Sequence, residues 1–202
     1  MATWSGNVLA STDDARNLVS DSTYSATATT QHLGKFNTTD IYYNGFRWNS
    51  VTIPQGATIN SAYVTLYCAN VNGGTTAKTI WYGEAADNAS TFSNSIAGKP
   101  EGRSHTTAST AKDFATANWT SVGYNTGDKV DVTSIVQEII NRAGWSSGNS
   151  LVIVATDNGS SNTNYIGHST YDRAVDRGAQ LDIDYTAGGA TISSRLTLLG
   201  VG

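Results

Sequence analysis

The chain has 202 residues, of which 14% are charged, and a formal net charge of −4. That length suits one large all-β domain with a substantial core. Its 12 Lys and Arg are scattered, which argues against docking on nucleic acid or an anionic membrane surface, and no stretch approaches the roughly 18 apolar residues of a membrane span.

With so few charges, solubility rests on Ser, Thr, Asn and Gly, a surface common on extracellular and virion proteins. The opening Met1-Ala2-Thr3-Trp4-Ser5-Gly6 has neither a basic nor an apolar leader region, so no secretory signal is expected. Two origins fit: a processed chain with an added Met, or a protein made in a cytoplasm and released by lysis. The second points toward a phage.

In chain order, residues 1–40 read as a polar N-terminal arm with candidate strands at Asn7–Ala10 and Ala15–Val19. Residues 21–37 read as a long loop with some strand character, and Ile41-Tyr42-Tyr43 opens the regular part. Two strands then flank the Pro54-Gln55-Gly56 turn, where Pro presets φ and Gly accepts a positive φ. Across 62–69, Tyr63, Thr65 and Tyr67 alternate with Val64, Leu66 and Cys68, the pattern of a half-buried strand. Cys68, the single cysteine, reads as a buried small hydrophobe. Asn72-Gly73-Gly74 is a tight turn and Lys78–Gly83 the next strand.

Residues 84–118 read as a long, polar, poorly periodic insertion, the kind of loop that is usually functional or mobile. Residues 119–122 and 128–131 flank a turn near Asn125-Thr126-Gly127. Val132, Ile135, Val136, Ile139 and Ile140 then fall on one helical stripe. The helix is expected over about residues 131–143, with Asp131, Thr133 or Ser134 as N-cap, capping-box spacing from Ser134 to Gln137, and Gly144 as the C-terminal cap. Ser150–Ala155 is a fully buried central strand, 157–162 a loop, and Tyr165–His168 with Ala179–Tyr185 the closing strands. The organisation expected is one domain over 1–186, then a linker and tail over 187–202.

The segments 51–64 (Val-Thr-Ile-Pro-Gln-Gly-Ala-Thr-Ile-Asn-Ser-Ala-Tyr-Val), 82–89, 132–142, 144–149 and 179–185 together resemble the DNRLRE-type domains. The resemblance covers about two-thirds of the chain. It implies an all-β jelly-roll β-sandwich related to carbohydrate-binding modules, of a kind found on secreted polysaccharide-active proteins and in phage virion proteins. Fold alone does not decide between them.

Catalytic signals are sparse. His32, His105 and His168 show no metal-ligand spacing and read as surface or loop residues. No Gly-x-Ser-x-Gly elbow precedes a helix. Glu84, Asp87, Asn88, Asp157, Asp172 and Asp176 are candidates for a glycosidase carboxylate pair or a structural Ca²⁺, against ordinary turn and capping duty. Trp48, Trp81 and Trp145 read as core. Trp119 and Tyr124 flank a turn and are the candidate exposed rings for stacking a sugar.

After the linker Ala187-Gly188-Gly189-Ala190 come Leu196, Leu198, Leu199 and Val201, four apolar groups beyond the closed domain. Leaving large apolar side chains in water costs about 1.5–3 kcal/mol each, so this tail is a candidate docking segment. It folds back on its own sandwich or docks on a neighbouring subunit by strand addition or groove filling. The expectation is a non-enzymatic phage structural protein on the virion surface. It would be a capsid decoration (cement) or tail-associated protein contacting the major capsid protein and its own copies, with a trimer favoured. No cofactor is expected beyond a structural calcium. The alternative is a carbohydrate-binding module for a polysaccharide.

Overall fold

The computed structural model describes residues 1–188. The tail residues Leu196, Leu198, Leu199 and Val201 lie outside the described residues. The strands are β1 (Ala2–Asn7), β2 (Asp14–Leu18), β3 (Tyr24–Ser25), β4 (Thr30–Gly34), β5 (Tyr42–Trp48), β6 (Thr58–Thr65) and β7 (Tyr67–Gly73). They continue as β8 (Thr76–Glu84), β9 (His105–Ala115), β10 (Gly123–Tyr124) and β11 (Val130–Asp131). After helix α1 (Thr133–Ile140) come β12 (Leu151–Asp157), β13 (Tyr165–Ser169) and β14 (Gln180–Thr186).

All pairings between these strands are antiparallel. One sheet runs β3-β2-β5-β12-β8-β9. Two smaller ones run β1-β14-β6-β11 and β10-β7-β13-β4. From β5 onward the chain alternates between the large sheet and the small pair: β5, then β6 and β7, then β8 and β9, then β10 and β11, then β12, then β13 and β14. This is an all-β sandwich with one short helix, the fold class expected from the sequence.

The core sits between the layers. Phe46, Trp48, Trp81, Leu151 and Ile153 from the large sheet meet Ala62, Val64, Cys68, Ile166, Leu181 and Ile183 from the small pair, all buried. Trp48, Trp81 and Trp145 are buried as the strand pattern requires. A second cluster lies on the outer face of the large sheet, where Phe92 packs with Ala15, Val152 and Val154. It fits because Gly45 leaves a notch: a Cβ there would stand 2.3 Å from Phe92 Cζ.

Gly56 takes φ +70° after Pro54, and Ala57 N–H donates to the Pro54 carbonyl (3.2 Å), closing the expected turn. Alternation breaks at the next crossing. Val64, Thr65 and Leu66 are buried in succession, because β6 passes through Leu66 from one small sheet into β7 of the other.

α1 is shorter than the expected 131–143 and buries Ile135, Val136, Ile139 and Ile140. Val132 occupies the N-cap position, and the Asp131 carboxylate accepts from Thr133 N–H (2.9 Å). Gln137 forms no capping box. It bridges to the sheet instead, accepting from Ile59 N–H (2.8 Å) and donating to the Ala57 carbonyl (2.9 Å). The helix ends at Asn141 rather than at Gly144. A Cβ at Gly144 would stand 2.1 Å from Asp87 Oδ2, so a larger residue there would displace the Asp87 side chain.

The strand character expected within the 21–37 loop is β3 and β4. Two other expectations are corrected. The first strand is Ala2–Asn7, earlier than Asn7–Ala10. The insertion over 84–118 is not a free loop: its second half is the 11-residue β9, paired with β8. Its Ser/Thr/Ala composition hid the strand because only one side of β9 faces the protein.

Candidate functional site

β14 alternates Leu181 and Ile183 into the core with Asp182 and Asp184 outward. The neighbouring strands carry that outward row across the sheet. In one rung Ser5, Asp182 and Tyr63 lie side by side. In the next stand Thr3, Asp184 and Ser61. With Lys129 they line a trough of about 400 Å³ on the outer face of the small sheet, a volume at the lower end of small-molecule sites.

Inside it, Ser5 Oγ donates to Asp182 Oδ1 (2.6 Å) and Ser61 Oγ to Asp184 Oδ2 (3.3 Å). Lys129 Nζ stands 3.9 Å from Asp182 Oδ2. Tyr63 is 37% exposed, an aromatic face offered to solvent beside two carboxylates. Carboxylates, hydroxyls and one exposed ring are groups that can hydrogen-bond a polyol and stack on its apolar side.

Of the two rings expected to reach solvent, Trp119 does not and Tyr124 does so only in part. Trp119 is fully buried, edge-on to Phe114 (centroids 5.4 Å apart), with its indole N–H donating to Asp128 Oδ2 (3.2 Å). Tyr124 is half-buried: its hydroxyl lies 2.9 Å from the Asp176 carbonyl and 2.8 Å from that of Gly178, and it accepts from Asn7 Nδ2 (3.0 Å). It pins the 172–178 loop, and desolvation holds its phenol above the ordinary pKa. The turn that these residues flank folds against the sandwich, which proximity to Gly and Asn does not reveal.

The candidate carboxylates are spread over separate contacts. Glu84 pairs with Arg103 (3.0 Å), Asp87 with Arg142 (2.7 Å), and Asp172 accepts from Ser11 Oγ (2.8 Å). Asp157 caps Gly159 and Ser160, and Asn88 Oδ1 accepts from Ser150 N–H. Among the described residues no group of three or more His, Cys, Asp or Glu stands together as a metal site.

The histidines are on strands rather than loops. His168 is buried on β13 against Phe46 (centroids 5.3 Å apart), and burial lowers its pKa to about 4. His32, on β4, is lowered to about 4 by the same cause. His105, at the start of β9, stacks on Tyr82 at 4.5 Å. Asp14 is 1% exposed, and desolvation raises its carboxyl to about 7.

Sequence reasoning missed Tyr63, Lys129, Asp182 and Asp184 as a group. The available signal was the period-2 acidic pair within Leu181-Asp182-Ile183-Asp184, but its neighbours on β1 and β6 are set by register alone. Compared with protein-family models and with curated proteins, the chain matches none of them.

Proposed function

We propose that this chain is a non-catalytic structural protein of a phage particle, a capsid decoration or tail-associated module that acts through contacts with neighbouring subunits. The observation that carries the reading is the combination of an antiparallel β-sandwich with candidate carboxylates engaged in separate structural contacts. Support also comes from the DNRLRE-type resemblance and from the apolar pattern of residues 196–201 beyond the sandwich. The work such a module does is mechanical, through area buried between subunits. The test is to label intact particles, purified from the chain's source, with antibody against this protein. Surface labelling is expected, and its absence from particles that are otherwise complete contradicts the reading.

A second reading, a carbohydrate-binding module, is favoured by one observation: the Tyr63 trough with Asp182, Asp184 and Lys129. Its test is binding of neutral and acidic polysaccharides to the native chain and to Tyr63→Ala. Binding that depends on Tyr63 supports it; binding that ignores Tyr63 contradicts the trough as the site.

A further inference from the structure

We propose that Asn158 is a self-modification site, at which the chain's own backbone converts the carboxamide into aspartyl and isoaspartyl forms. The reaction favours an asparagine followed by glycine, because a residue without Cβ leaves its amide nitrogen open to the preceding side chain. The sequence holds three such pairs: Asn44-Gly45, Asn72-Gly73 and Asn158-Gly159. By sequence alone they are equivalent. Their surroundings in the fold separate them.

Two pairs are locked in strands. Asn44 lies in β5, which is paired on both sides, and it is fully buried with its carboxamide donating to the His32 carbonyl (2.8 Å). Asn72 lies in β7 opposite Ile166, with its carboxamide donating to the Trp119 carbonyl (2.6 Å). A side chain tied in this way is held back from the next backbone nitrogen. Asn158 follows β12 in the loop to β13, and both Asn158 and Gly159 are exposed. Gly159 takes φ +80°, a conformation open to glycine.

The proton that must leave has an acceptor in place. Gly159 N–H donates to Asp157 Oδ2 at 3.0 Å, within the reach of a general base. In the step, Gly159 N bonds to Asn158 Cγ as its proton moves to the Asp157 carboxylate. The Cγ–Nδ2 bond then breaks, Nδ2 takes that proton, and ammonia leaves behind a cyclic imide. Water, the co-reactant, adds to either imide carbonyl and one C–N bond opens. Breaking the new bond to Cγ gives aspartate. Breaking the original peptide bond gives isoaspartate.

The change falls between two anchors. Asn158 N–H donates to the Lys78 carbonyl (3.0 Å), and Ser160 Oγ accepts from Lys78 N–H (2.8 Å) and donates to the Lys78 carbonyl (3.1 Å). Isoaspartate routes the main chain through Cβ and lengthens it between these anchors. Either product adds a carboxylate beside Asp157. The modified chain therefore holds the end of β8 less tightly.

Peptide mass spectrometry tests this on the folded chain incubated near neutral pH, beside a denatured sample of the same chain and the Asp157→Asn variant. The expected result in the folded chain is a gain of about one dalton at Asn158 alone, part of it isoaspartyl. The denatured sample should show the gain at all three pairs. Asp157→Asn should slow the gain at Asn158 by about ten-fold or more. Gain at Asn44 or Asn72 as fast as at Asn158 in the folded chain overturns the assignment. So does a folded chain unchanged at Asn158 while the denatured sample reacts there. A folded Asp157→Asn variant that reacts as fast as the native chain overturns the role of Asp157 as base. If that variant does not fold, the folded and denatured native samples still decide the site.

Discussion

Asp14 on β2 accepts a hydrogen bond from the backbone N–H of Tyr171 at 2.8 Å, joining positions 157 residues apart. The other carboxylate oxygen, Oδ1, is buried with no hydrogen-bond partner among the described residues. Burial raises this carboxyl to about 7, with Asp172 and Asp13 adding to the rise. The contact ties the start of the large sheet to the loop that follows β13, and it does so with an acid that is costly to ionise.

The pH dependence of stability follows with opposite signs. For Asp14 the native carboxyl binds its proton more tightly than the unfolded one. Its contribution is full below about pH 4 and is lost as pH rises toward 7. For His32 and His168, lowered to about 4, the contribution is full above about 6.5 and is lost as pH falls toward 4. Two histidines outweigh one acid, so the melting temperature of the native chain should fall on acidification from pH 6.5 to 4. Asp14→Asn should gain on the native chain as pH rises from 4 to 7, in paired thermal melts. A difference between the two that is constant with pH contradicts the assignment.

Phe92 seats the 85–104 segment on the large sheet, with the Arg103 guanidinium 4.8 Å from its ring centroid. Phe92→Ala should cost about 3 kcal/mol, and it should open the segment to proteolysis before the sandwich unfolds. Calorimetry and limited digestion check this; unchanged digestion would show that the segment is held by its ion pairs alone.

Trp119 and Tyr63 should separate stability from recognition. Trp119→Ala removes a fully buried ring and should cost about 3–5 kcal/mol. Tyr63→Ala, at an outward position, should stay within about 0.5 kcal/mol of the native chain. Denaturant titration of the two variants reads this directly, and a large loss for Tyr63→Ala would mean the ring is structural.

Glu138 guards the β9 edge by accepting from two backbone N–H groups. Glu138→Ala should cost about 1–3 kcal/mol through unpaired amides and should speed amide exchange at Thr107 and Ala108. Exchange rates that do not change at those two positions contradict the role.

Much of the fold was legible because its signals are local. The Val132–Ile140 stripe, the Pro54–Gly56 turn and the apolar run from Leu151 to Ala155 each announce themselves within a few residues. β9 was not legible, because its inward side carries Thr106, Ala108, Thr110 and Lys112 before Phe114 instead of clearly apolar positions. Trp119 was misplaced for a related reason: a turn's residues show where the chain reverses, but not which layer the turn folds onto. The Tyr63 trough depends on three strands that are distant in sequence, and only their register assembles it.

The most direct measurement is the solution mass of the native chain by light scattering, beside Leu196→Asp/Leu198→Asp. Assembly through the C-terminal segment predicts a native oligomer and a folded monomeric variant. Two monomers, or two oligomers of the same mass, would contradict it.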